Sequence, residues 1–151
     1  MNKVAYFIIV SCAVIFFISV SFCEASDAKE DIIAYIKEIS SIVTDVDITI
    51  RGIGFNTLPM KEGVKRLNIS IGQLSFMECP PSMSKQYKTI LLAFKKMRAG
   101  LLLFSLEKKD TAVGLIKNGT RLLKYAAKDI LAIAEREGIR KSSNAPEQKG
   151  E

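Results

Sequence analysis

The sequence predicts an all-α protein: an up-down-up-down antiparallel four-helix bundle behind an N-terminal export segment. Three observations predict it. Apolar residues recur at alternating steps of three and four through four successive segments. Helix-breaking or capping residues separate those segments. A long uncharged run stands apart at the amino terminus.

The uncharged run comes first in the chain. Lys3 and the amino terminus give a short positive end, and residues 4–22 contain no charge. A small-residue site follows, with Cys23 and Ala25 at the −3 and −1 positions of a cut before Ser26. This order is that of a secretory signal peptide over residues 1–25. The run is also long enough to span a bilayer as an uncleaved anchor. Either way the positive end stays inside. The folded part is then exported, periplasmic or extracellular, with membrane attachment through residues 4–22 as the alternative.

Lipidation fits poorly. Cys23 follows the bulky Phe22, and Cys12 lies inside the apolar run with more apolar residues after it. Loss of the leader leaves Cys79 as the sole cysteine, so no intramolecular disulfide forms. A free buried thiol or a bond to a second chain remains.

The first helix is expected over 27–51, with Ile32, Ile36, Ile39, Val43, Val46, Ile50 and Ile53 on one face. Ser26 or Asp27 can cap it, with Glu30 in its first turn, and Gly52 and Gly54 can end it. The stretch "VTDVDITI" at 43–50 is β-branched and also alternates like a strand. The three-and-four spacing runs through it unbroken, so helix is expected.

The second helix is expected over 58–78, with Met60, Val64, Leu67, Ile71 and Leu74 inward. Pro59 suits a first turn, and Pro80 and Pro81 stop the helix. The third is expected over 82–106, capped by Ser82 or Ser84, with Met83, Tyr87, Ile90, Phe94, Met97, Leu101 and Phe104 inward. Leu91, Leu92, Leu102, Leu103 and Leu106 make it more apolar than one face requires, which points to burial or a partner. The fourth is expected over 111–137. Asp110 caps it, Gly138 closes it, and Ala112, Ile116, Gly119, Leu123, Ala126, Ile130 and Ile133 face inward. Short connections make neighbours antiparallel, and the mean spacing of 3.5 suits shallow crossing angles. Residues 141–151 are polar and aperiodic and read as a disordered tail.

The chemistry is defined mainly by what is missing. The chain has no histidine, which removes histidine triads, histidine zinc sites, the bundle di-iron motif and histidine-ligated haem. No phosphate-binding loop or dinucleotide fingerprint occurs. Asp45 and Asp47 are two apart, on different sides of a helix, and the inward registers carry no acid. No catalytic residue, metal ligand or cofactor is expected, and the protein reads as a non-enzyme.

Charge supplies the functional signal. Residues 26–52 carry six acids and three bases; residues 81–141 carry fourteen bases and five acids. Lys85, Lys88, Lys95, Lys96 and Arg98 lie in a helix without an acid, and Lys117, Arg121, Lys124 and Lys128 recur at steps of four, three and four. A basic face on the third and fourth helices would attract an anionic envelope component. Nucleic acid is not expected in that compartment. The aromatics Tyr87, Phe94 and Phe104 lie on the core register, away from any stacking platform. A solvated basic surface is the simpler alternative.

Gly100 and Gly119 come to similar levels when the third and fourth helices fold together. They allow either close packing or a small pocket. A pocket there is the basis of the alternative function, a small-ligand carrier or sensor module. A homodimer through the third helix or Cys79, or another protein partner, is a further expectation. The hairpin "PPSMSKQYKTILLAFKKMRAGLLLFSLEKKDTAVGLIKNGTRLLKYA", residues 80–126, resembles those of small exported bacterial helical-bundle proteins of unknown function. That resemblance implies the fold and export and carries no functional residue across.

Overall fold

A computed structural model describes residues 27–139. The leader, Ser26, Cys12, Cys23 and the tail at 141–151 lie outside the described residues. Four helices make up the described chain: α1 Asp27–Gly54, α2 Met60–Phe76, α3 Ser84–Ser105 and α4 Lys109–Arg136. A 3-10 turn at Pro81–Met83 leads into α3. The described residues contain no strand, and none of their helices is long and apolar enough to cross a membrane.

The β-branched stretch at 43–50 is helical because its side chains are used on a helical beat. Val46, Thr49 and Ile50 are buried. The Thr44 and Thr49 hydroxyls donate to the carbonyls of Ser40 and Asp45, each at 2.8 Å. Burying one isoleucine is worth roughly 1.5–3 kcal/mol, against a helix penalty of at most about 0.7 kcal/mol per β-branched residue. Burial wins. Asp47 and Arg51 add an ion pair one turn apart at 2.7 Å.

Three helices end in the same backbone motif, in which a left-handed residue lets two amides reach back to the last carbonyls. After α1 that residue is Asn56, after α3 Glu107 and after α4 Gly138. The paired bonds are Thr57 to Gly52 with Asn56 to Ile53, then Lys108 to Leu103 with Glu107 to Phe104, then Ile139 to Ala134 with Gly138 to Glu135. Gly138 thus closes α4. Gly52 and Gly54 do not play this part for α1, because both remain helical and the reversal falls on Asn56.

The starts depart from expectation in three places. Pro59 stands just outside α2 in extended conformation, and its carbonyl accepts the first helical bond from Gly63. Neither Ser82 nor Ser84 caps α3; Met83 holds that position without a side-chain bond. Asp110 is inside the first turn of α4, where it complements the helix dipole, and Lys108 takes the cap position. α2 stops at Phe76 because Cys79 and Pro80 each precede a proline, which disfavours helical backbone.

The core follows the predicted faces with small rotations. Ile36, Val46, Ile50, Leu67, Leu74, Met83, Phe94 and Met97 are almost fully enclosed. On α2 the buried face is Gly63, Leu67, Ser70 and Leu74, leaving Met60, Val64 and Ile71 half-buried. Leu123 is half-buried too. It borders a void of about 20 Å³ with Ile39, Val43, Ile90 and Ala127, where α1 meets α3 and α4.

The α3–α4 interface is the most extensive, and α2 packs on both α1 and α3. A β-carbon on Gly100 would lie 2.8 Å from the Ala112 carbonyl oxygen, and one on Gly119 would lie 2.8 Å from the Ala93 carbonyl oxygen. The early part of α4 therefore meets the late part of α3, and the two helices run antiparallel.

Candidate functional site

The two basic rows are exposed, but they do not share one face. Lys85, Lys88, Lys95 and Arg98 are exposed on α3, with Lys96 half-buried; Lys117, Arg121, Lys124 and Lys128 are exposed on α4. Ala93, Met97 and Gly100 face α4, and Ala112, Ile116 and Gly119 face α3. At about 100° per residue, Lys88 and Lys95 fall roughly 200–220° around α3 from Ala93. The four bases of α4 fall roughly 140–200° around their helix from Gly119 by the same count. Lys88, Lys95 and Arg98 therefore point away from the α4 row, while Lys85 and Lys96, some 60–80° from Ala93 by the same count, flank the interface. Spacing along the sequence describes each row on its own helix; the packing of the pair decides how the two rows are turned relative to one another.

The α3 row has apolar company. Leu92, Leu102 and Leu106 are 47%, 40% and 66% exposed; Leu92 and Leu102 fall about 20–40° to either side of the arc of Lys88 and Lys95 by the same count, and Leu106 lies just past the helix end. Leu91 and Leu103 are half-buried. The result is a strip of alternating leucine and base in a helix with no acid from Ser84 to Ser105. At its start, Ser82, Ser84, Lys85, Lys88 and Thr89 border a shallow hollow. The first turn there has no side-chain cap; the Met83 and Ser84 amides instead donate to the Pro80 and Pro81 carbonyls of the preceding 3-10 turn.

Gly100 and Gly119 each face packed atoms of the other helix. Ile116 fills the space in front of Gly100 and Met97 that in front of Gly119. Close backbone approach is what these glycines provide.

A second feature was not apparent from sequence spacing. An open groove of about 830 Å³ separates the first turns of α1 from the α2–α3 connection. Asp31 and Glu38 stand on one wall and Glu78 on the other, with Phe76 at the edge, 91% exposed. Tyr35 and Cys79 lie in its floor. Tyr35 is 3% exposed, and its hydroxyl lies against the Cys79 side chain. Burial, and then the neighbouring Cys79 thiol and Tyr87, hold the Tyr35 phenol well above its ordinary pKa. The Cys79 thiol itself donates to the Pro80 carbonyl at 3.4 Å. The sequence offered one hint: Tyr35 sits one residue off the inward register, where a polar tip meets the edge of the core.

Among the described residues, no three of His, Cys, Asp and Glu come together as a metal site. No protein-family model, curated protein or solved structure matches the chain.

Proposed function

We propose that this is an exported, non-enzymatic protein, an up-down-up-down bundle that rests on an anionic membrane surface through the outer strip of α3. The observation that carries this reading is the strip itself. Leu92, Leu102 and Leu106 are solvent-exposed among Lys88, Lys95 and Arg98, with no acid on the helix. Exposed bases near an acidic membrane contribute about 1 kcal/mol each, and leucines that enter the headgroup boundary add apolar burial. The hollow bordered by Lys85, Lys88 and Ser82 suits a lipid phosphate. Export rests on the leader sequence.

Sedimentation with vesicles tests the reading. The protein should pellet with anionic vesicles at low salt and not with neutral ones, and salt should release it in part. Replacing Lys88, Lys95 and Arg98 by glutamine should abolish pelleting. Replacing Leu92 and Leu102 by serine should weaken it and make the remainder fully salt-sensitive. Equal loss from Arg121→Gln with Lys128→Gln would overturn the assignment to α3. If a second copy covers the strip instead, the same leucine changes will abolish concentration-dependent dimerisation and leave vesicle binding absent throughout.

A further inference from the structure

α2 has two apolar sides. Its buried side, Gly63, Leu67, Ser70 and Leu74, packs inward. At about 100° per residue, Lys65, Ile69, Gly72 and Phe76 share an arc of roughly 60° on the opposite side. Ile69 is 53% exposed, and Phe76 is the most exposed of the large hydrophobic residues described. Single exposed apolar side chains are ordinary, but an apolar patch rimmed by polar residues marks an interaction site. Gly72 lies between the two, and a β-carbon on it would meet nothing within 4 Å. A glycine inside a helix costs about 1 kcal/mol against alanine, and no contact within the described residues requires one there. Gly100 and Gly119 show what a helical glycine does in this protein: it lets a second helix come close. The outer face of α2 also ends in opposite charges. Lys65 lies about two turns before Gly72, and Glu78 lies two residues past the end of the helix. Both are exposed, and among the described residues neither has an ion-pair partner. Arg66 and Glu62, to one side, pair with each other at 3.4 Å.

We propose that this face is a homodimer surface, covered by α2 of a second copy of this chain lying antiparallel about a twofold axis beside Gly72. The charges select this occupant. In an antiparallel pair the basic start of one face meets the acidic end of the other, so Lys65 of each copy faces Glu78 of the other. Ile69 lies about 4.5 Å before Gly72 along the helix axis and Phe76 about 6 Å after it, so each Ile69 comes against the Phe76 of the other copy. Every contact is thus made twice, as a closed symmetric pair requires. A parallel pair would instead set Lys65 against Lys65. The two Gly72 residues meet near the axis and let the backbones approach. Ser75, at the border of the face, already donates its hydroxyl to the Ile71 carbonyl at 2.7 Å, so covering it breaks no bond within the protein. The lipid-facing strip lacks this self-complementarity, because α3 has no acid to pair with a copy of itself. One pair of helices buries less than a standard interface, so the association is weak and concentration-dependent.

Sedimentation equilibrium of the exported protein, without lipid and across a range of concentrations, tests the proposal. A monomer–dimer equilibrium is expected. Ile69→Ser with Phe76→Ser should abolish it and leave the helical circular dichroism unchanged. Gly72→Gln should also abolish it, because the longer side chain stands where the second backbone must come. Lys65→Glu and Glu78→Lys should each weaken dimerisation roughly tenfold, since each reverses one member of two symmetric pairs. An equimolar mixture of these two variants should regain the parent's dimerisation constant, because in the mixed pair every new charge faces its opposite. That rescue separates a specific antiparallel pairing from mere apolar stickiness. The Lys88, Lys95 and Arg98 glutamine variant should dimerise as the parent does, so failure of the lipid reading leaves this proposal standing. A monomer at every concentration, unchanged dimerisation in Gly72→Gln, or no rescue in the mixture would overturn it. Loss of dimerisation through Leu92→Ser with Leu102→Ser, and not through the α2 changes, would overturn it in favour of α3.

Discussion

Gly100 and Ala112 stand so close that a β-carbon on the glycine would meet the alanine carbonyl oxygen at 2.8 Å. Gly119 repeats the relationship with Ala93 about two turns away along the hairpin. Alanine normally gains about 1 kcal/mol over glycine inside a helix. Here the obstacle is backbone, which cannot swing aside, and overpacking costs about 1–3 kcal/mol. Gly100→Ala and Gly119→Ala should therefore destabilise the protein in urea. Nothing lies within 4 Å of a β-carbon at Gly72 or Gly114, so alanine at those positions should stabilise by up to about 1 kcal/mol.

The helix ends make a paired expectation. Glu107 holds a left-handed backbone at φ 63°, a conformation that costs a residue with a β-carbon about 1–2 kcal/mol. Glu107→Gly should raise the unfolding free energy by about 1 kcal/mol, the strain relief being partly offset by greater freedom of the unfolded chain. Gly138, at φ 67°, should show the reverse, with Gly138→Ala losing about 1 kcal/mol. Thermal unfolding of the two variants checks both signs.

The core gives the largest effect. Phe94 is fully enclosed, and Phe94→Ala should cost roughly 3–5 kcal/mol in chemical denaturation. The void beside Val43 works in the opposite sense. Val43→Ile adds one methylene toward about 20 Å³ of empty space and should stabilise by up to about 1 kcal/mol. Ile39→Val enlarges the same void and should cost about 1 kcal/mol.

Tyr35 predicts an alkaline limit. Its ordinary pKa is 10.0, and burial holds the folded value well above that. Below pH 10 the phenol is neutral in both states and adds no pH dependence. Above pH 10 the unfolded chain releases the proton while the folded one retains it, so stability falls as pH rises. Urea midpoints at pH 8 and pH 11 should fall less for Tyr35→Phe than for the parent. An equal fall in both would show that the phenol ionises freely in the folded state.

Much of the local structure was legible because helices are specified over short range. Steps of three and four through Ile32 to Ile53, and again through Met83 to Phe104, describe a periodic face that needs no partner to be recognised. Gly138 was readable as a terminator for the same reason: a residue with no β-carbon marks a left-handed reversal by itself. Asn56 and Glu107 were not, because residues that merely tolerate that backbone give no comparable signal, and the hydrogen bonds that fix them reach back across the helix end.

The sequence by itself determined the four helical segments, the residues that could form their faces, and the two rows of bases. Each depends on neighbours within a few turns. Only the tertiary structure decided which surfaces those residues share. It turned Lys88, Lys95 and Arg98 of α3 away from the α4 row, because Gly100 and Gly119 bring the helices together through one narrow seam. It also left Leu92, Leu102 and Leu106 outside, and brought Asp31, Tyr35, Glu38 and Glu78 around one groove. Those groups lie up to 47 residues apart in sequence, and juxtaposition over that distance is set by packing, which no local spacing encodes.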